Sequence, residues 1–362
     1  TIDGIEMQHL RVGMDKQTSS RITILGFVMT SVIVMYHCGA TGVVPFNILD
    51  EKINKFLDAF FDNMAILAMS HFFFVTGYLL FYNLTEFLFK TKIKRRFFTL
   101  IIPYILWQII TVVYYIILGR FNGWTIRKLV NTVFLMQLWP PDGALWYLYA
   151  VFLLACLSPI FLFLYKEKKI GWWMICIMIV IAYGSGYWNV EWIMKLRGYG
   201  YLSNILSYFP SYIIGTFYGY YSSKEKEKLD FKYCLAILLV MFVFEGVYGG
   251  ILNNITIRIM PLVLFYTFPV NKIIENCNIY KLSFLIYAIH QPIMPDALGH
   301  IRNLLYYYIP IASIVNLAGR LIYLFFVIVI SSAIYIILKR VFVKGLVWMT
   351  GGGEFECIIS DM

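Results

Sequence analysis

Seven ionisable side chains (His37, Asp62, His71, Glu245, Arg258, His290 and Arg320) lie within or at the edges of long apolar runs. Withdrawing such a group from water is costly, so each is a candidate for function. His37 carries the sharpest chemistry. An imidazole titrates near neutral pH, and one with a carboxylate close by is the arrangement a general base requires. Asp62 opens the second apolar run at the level where His37 closes the first, which makes it the candidate to orient that base. Glu245 and Arg258 sit near the facing ends of two later runs. They read either as an interhelical ion pair or, with His290 near mid-span, as groups that hold an acceptor. His71 reads equally as a packed interhelical hydrogen-bonder. A different chemistry is written in the cluster that runs from Lys92 through Lys94 and Arg95 to Arg96, where a basic stretch meets an apolar run. Arg95 and Arg96 present planar donor forks suited to phosphate oxygens, although basic residues also collect at this place simply to fix orientation in a membrane.

The elements that must position these groups are set by composition. Of 362 residues, 60% are hydrophobic and 14% are charged, against about 25% charged in a soluble domain. Apolar runs of about 20 residues, the length that crosses a bilayer, recur from residue 20 to residue 341. A soluble enzyme, a secreted disulfide scaffold and a disordered chain are thereby excluded. The pattern predicts an all-α polytopic helical bundle in the cell membrane, a single domain over 1–362 with a cytoplasmic tail at 342–362. Ten spans are expected at about 20–38, 60–83, 97–118, 144–165, 170–188, 201–221, 233–249, 251–269, 281–295 and 313–338, the first serving as an uncleaved signal anchor. Pro292 and Pro295 are expected to shorten or break the ninth. The segment 119–143 is expected to hold an interfacial helix and a turn. Lys and Arg divide 20 to 8 between the two sides, which with an even count puts both termini in the cytoplasm. The net charge of +10 is explained by that bias and calls for no nucleic acid. Six cysteines without a C-x-x-C read as small apolar packers, and no metal site is suggested.

On this topology the buried polar groups gather in the middle and outer half of the bilayer. That predicts an outward-facing polar cavity. Trp139, Trp146, Tyr147, Trp188 and Trp192 are placed either to stack on a sugar there or to form an interfacial belt. No internal repeat is visible, which speaks against a transporter built from two related halves.

Several segments resemble, in order, the acyltransferase type 3 family of integral membrane acyltransferases. They are V-I-V-M-Y-H ending at His37, H-F-F-F-V-T-G-Y-L-L from His71, and K-R-R-F-F-T-L-I-I-P-Y-I-L-W from Lys94. A-L-W-Y-L from Ala144, F-P-S-Y-I-I-G from Phe209 and L-S-F-L-I-Y-A-I-H-Q-P-I from Leu282 complete the series. The resemblance implies a ten-helix membrane domain. It also implies transfer of an acyl group, acetyl above all, from a cytosolic acyl-CoA to a hydroxyl of an extracytoplasmic glycan or lipid-linked sugar. His37 stands at the family's histidine position and would be the base, with Asp62 beside it. Arg95 and Arg96 would hold the phosphates of acetyl-CoA, a co-substrate rather than a resident cofactor, and Glu245, Arg258 and His290 would face the acceptor. Besides these, only membrane lipids are expected as partners. Many members carry an arginine eleven residues before the histidine, where this chain has Gly26, and others at positions filled here by Phe98 or Thr99 and by Tyr149. Two alternatives therefore stand beside the enzyme: a transporter or flippase of a lipid-linked sugar, and a non-catalytic membrane sensor module.

Overall fold

The structure, a computed structural model, describes residues 14, 16–39, 44–121, 123–134, 140–187, 202–221, 251–270 and 278–351. All regular structure among them is helical. Helix α1 (Lys16–His37) leads into α2 (Ile48–Phe81), and α3 (Phe89–Ile117) carries a five-residue π segment at Phe97–Ile101. After α4 (Ile126–Val133) come α5 (Trp146–Cys156), α6 (Ser158–Leu164), α7 (Lys168–Tyr187), α8 (Leu202–Tyr221) and α9 (Ile251–Thr267). The C-terminal part is α10 (Ser283–Tyr308), α11 (Ala312–Val341) and α12 (Val343–Thr350).

The ten-span expectation is corrected here. Among the described residues four helices are long and apolar enough to cross a membrane, namely α1, α2, α3 and α11; the count rises to five if α5 and α6 together form one bent span. That pair turns by 49° at Leu157, where Pro159 at the start of α6 cannot donate to the preceding turn. Helices α8 and α10 fail for a different reason. Both are long enough, but serine, tyrosine, proline and charged residues interrupt their apolar stretches. The residues expected as the seventh span, 233–249, lie outside the described residues. The placement of both termini in the cytoplasm rested on a 20-to-8 bias of Lys and Arg counted across ten spans and falls with that count; residues 1–13 and 352–362 also lie outside the described residues. Pro292 and Pro295 do not end α10, which runs on through both to Tyr308. Within the expected tail, the eight residues from Val343 form α12, which docks on α3 with the Trp107 Nε1–H donating to the Met349 carbonyl at 2.9 Å. Cys38 is buried as a packer should be, whereas Cys156 and Cys176 are exposed on the helix surface.

Helix α2 is the mast of the bundle. It packs against α1, α8, α9 and α11, and 72% of its membrane-length window is buried, against 17% for α11 on the outside. Asn47 caps its first turn by accepting from the Asp50 N–H at 2.9 Å. The Asp50 carboxylate in turn accepts from the backbone N–H groups of Ala312 and Ser313 at 2.9 and 2.8 Å, so one side chain of α2 caps the start of α11. Where α2 crosses α8 the backbones nearly touch. A Cβ on Gly215 would stand 2.0 Å from the Phe74 carbonyl oxygen, and Gly219 is similarly placed against Tyr78. The G-T-F-Y-G run from Gly215 to Gly219 is the small-x-x-x-small spacing that lets membrane helices approach closely. Gly215→Ala should therefore force the two helices apart and cost about 1–3 kcal/mol. Gly26→Ala, whose new methyl meets nothing within 4 Å, should be neutral or mildly stabilising. Thermal unfolding of the two variants in detergent checks the difference.

Candidate active site

Helix α1 ends on His37 because the chain turns there at Cys38 and Gly39, and its last turn opens onto a cavity of about 750 Å³. Asp62 lines the same cavity from α2, with Tyr115 from α3, Trp146 from α5, Tyr208 from α8, and Tyr287 and Gln291 from α10. A volume of this size suits a small-molecule ligand, and aromatic faces with a few amide and acid groups are the lining such sites use. Trp146, expected either in a belt or on a sugar, is on this wall. Tyr147 is not. It turns inward, where its hydroxyl donates to the Phe72 carbonyl at 2.8 Å and meets the Thr76 hydroxyl. Trp139, Trp188 and Trp192 lie outside the described residues, as does Glu245.

His37 and Asp62 thus share one wall, but no hydrogen bond joins them among the described residues. The ring facing His37 is that of His290, with centroids 5.2 Å apart and planes 38° apart. His290 is fully buried, and its Nδ1 lies 2.7 Å from the Tyr287 carbonyl. A carbonyl can only accept, so Nδ1 carries the proton and Nε2, which has no partner, keeps its lone pair. His71 is also buried, with both ring nitrogens unpartnered, but it does not reach the cavity wall. Arg258 is likewise absent from the wall. Its Nε–H donates to the Ser207 carbonyl at 2.7 Å, and its own carbonyl accepts from the Ser211 hydroxyl at 3.0 Å, which ties α9 to α8.

The basic cluster divides into distinct environments. The Lys92 ammonium is taken by the Leu80 carbonyl at 2.9 Å and by the Tyr82 carbonyl, where it closes the C-terminal end of α2. Arg95 and Lys94 are exposed. Arg96 is half-buried at the mouth of the π segment and leans inward, its Nη2 3.4 Å from the Thr76 carbonyl. The π register arises where Ile102 N–H reaches back five residues to Phe97, next to Pro103, which has no N–H to offer Thr99. Thr76 stands fourteen residues along α2 from Asp62, about 21 Å at helical rise. Asp62 stands near the middle of α2 and the cavity wall reaches Met69, so Arg96 and the cavity lie at different levels of one helix. Arg21, five residues before Gly26, donates from Nε to the Phe268 carbonyl at 3.0 Å.

Two features near the cavity were not among the sequence candidates. Arg120, beyond the end of α3, forms a two-pronged ion pair with Asp296 of α10 and holds that carboxyl below its ordinary range. Asp142 is fully buried before α5, where loss of solvent pushes its carboxyl well above the usual carboxylate range. Gln108 brackets its backbone, donating to the Asp142 carbonyl at 3.0 Å and accepting from its N–H at 2.9 Å. Tyr287 and Gln291 fall inside the L-S-F-L-I-Y-A-I-H-Q-P-I segment and Tyr36, also on the wall, inside V-I-V-M-Y-H, which was the available signal for them; nothing local marks Tyr208.

No curated protein and no solved structure matches the chain. A family model described as an acyltransferase domain matches residues 26–336, which takes in His37, the basic cluster and every wall of the cavity. With several long apolar helices around that site, the chain is a multi-pass membrane protein belonging to the type 3 acyltransferase family, whose activity is transfer of acyl groups other than amino-acyl groups.

Proposed function

We propose that this acyltransferase moves an acetyl group from acetyl-CoA to a hydroxyl of an extracytoplasmic glycan or lipid-linked sugar. The observation that carries the reading is the position of His37 on the wall of a cavity lined by aromatic faces and by the Asp62 and Gln291 side chains. A sugar seated there stacks on Trp146 or Tyr208 and presents a hydroxyl to the imidazole, which takes its proton as the oxygen attacks the thioester carbon; the C–S bond then breaks and the proton returns from the imidazolium to the departing CoA sulfur. The carboxylate of Asp62 stabilises the imidazolium that forms, through the cavity rather than by a direct bond. Arg258 and His290, away from the wall, support its shape. Glu245 stays a candidate for the acceptor side.

The donor enters near the C-terminal end of α2. Arg95 and Arg96 hold its phosphates, the first exposed and the second bound only weakly to Thr76, so both forks are open to a ligand. With about 21 Å of helix between Thr76 and Asp62, the acyl-bearing arm of the donor runs inward along α2 past Tyr147. Arg96→Ala should raise the acetyl-CoA requirement by about 10-fold to 100-fold, the worth of charge-assisted hydrogen bonds of about 1.5–3 kcal/mol. Lys94→Ala should do much less. Titration of radiolabelled acetyl-CoA against membranes carrying each variant checks this, and equal donor dependence in both would reduce the cluster to an orientation signal. The reading as a whole is tested by mass spectrometry of surface glycans from cells with and without the gene. Loss of an acetyl mass is the expected result, and unchanged glycans would overturn it.

A further inference from the structure

Helix α1 needs help at the end where it matters most. An α-helix leaves its last four carbonyls without intrahelical donors, and the usual remedy is a glycine in the left-handed region just beyond the end. Gly39 follows α1 but does not adopt a positive φ. The donors come instead from the far end of the chain. Arg302 of α10 donates from Nη2 to the carbonyls of Cys38 and of Gly39, the latter at 2.7 Å. Arg320 of α11 donates from Nη1 to the Met35 carbonyl, from Nε to Asn316 Oδ1 at 2.9 Å and from Nη2 to Asp58 at 2.5 Å. Both guanidiniums are nearly sealed from solvent, at 6% and 1% exposure. The carbonyls they hold belong to residues 35, 38 and 39, which bracket His37 on both sides.

We infer that Arg302 and Arg320 are positioning residues for His37, two forks that clamp the last turn of α1 and so fix the imidazole at the cavity wall. This rests on the proposed role of His37 as the base. Two buried cations meet the carbonyl end of one helix, an end that attracts positive charge. They come from two different helices, so the orientation of the turn is set relative to α10 and α11 as well as to α2. Because α10 also carries His290, whose ring faces His37, the same helix holds the backbone and confronts the side chain. Catalysis is sensitive to such placement: a shift of about 1 Å in a reacting group costs on the order of 100-fold.

Arg302 is the cleaner probe, because its hydrogen bonds go to carbonyls and its removal strands no carboxylate. The assay uses full-length protein in membranes, radiolabelled acetyl-CoA and the host envelope glycan, with label incorporated per unit of folded protein. Arg302→Gln should lower transfer about 10-fold to 100-fold with the KM for acetyl-CoA unchanged, and Arg302→Lys should recover part of the loss. The deciding measurement is the cycle with His37→Gln. In that background Arg302→Gln should cost less than about twofold more, since a clamp has nothing left to position. A full additional loss there, or wild-type transfer by Arg302→Gln alone, overturns the clamp and leaves the base in place. Wild-type transfer by His37→Gln overturns both. Where Arg302→Gln fails to fold, Arg302→Lys enters the cycle instead; failure of both to fold overturns the positioning role in favour of a purely structural one.

Discussion

His37→Gln should give folded, membrane-inserted protein whose acetyl transfer is lower by about two to four orders of magnitude, the usual worth of general acid–base catalysis. Glutamine keeps a polar group of similar reach but cannot take up a proton, so it separates the base from a mere hydrogen-bonding residue. His37→Ala should lose about as much. His290→Ala makes the informative comparison. His290 is buried, bonded to the Tyr287 carbonyl and absent from the cavity wall, so its removal should lower the amount of folded protein along with the activity. Activity must therefore be expressed per unit of folded protein, by fluorescence-detected size exclusion or an equivalent measure. His37→Gln at the wild-type rate on that scale would make the histidine structural and end the mechanism proposed here.

Arg320→Ala should be the most destabilising single change in the described interior. The guanidinium is 1% exposed and lies over the Phe61 ring at 4.4 Å, with hydrogen bonds to Asp58, Asn316 and the Met35 carbonyl. Truncation leaves a cavity beside Phe61, an uncapped helix end and a carboxylate without its cation. Removing one partner of a buried ion pair costs about 3–5 kcal/mol, and the 35% exposure of the Asp58 side chain argues for the low end of that range. Arg320→Lys keeps the charge but loses the fork, so it should cost less. The unfolding midpoint in detergent reads the difference, and an Arg320→Ala midpoint within error of wild type would mean that water already screens the pair. Restoring the balance by removing the acid as well, in Arg320→Ala with Asp58→Asn, should recover part of the loss.

The sequence was most legible where local composition carries the information. A helix shows itself through a long apolar stretch, and helices stand at nine of the ten expected positions, with 233–249 outside the described residues. The number of spans was not legible in the same way. Hydropathy measures what lipid would touch, and helices packed among neighbours can carry serine and tyrosine that lipid would not tolerate; α8 and α10 do so. The bend between α5 and α6 depends on Pro159, whose effect hydropathy does not register. Within the basic cluster, the difference between Lys92, spent on the Leu80 and Tyr82 carbonyls, and Arg96, leaning toward Thr76, follows from which carbonyls each meets across the helix contact, and residue type alone does not announce that.

By itself, then, the sequence determined a helical membrane protein and its family, and it singled out His37 and Asp62, which line one cavity, because helical rise and apolar run length are local properties of the chain. Only the tertiary structure decided what surrounds the histidine. His290 is 253 residues away along the chain, and the arginines that hold the Met35, Cys38 and Gly39 carbonyls come from helices near the opposite terminus. Those contacts are fixed by which helix faces meet across α2, by the glycines that let α8 approach it, and by unsatisfied carbonyls in an interior without water to satisfy them. No local pattern encodes such meetings, since each depends on the packing of several elements at once.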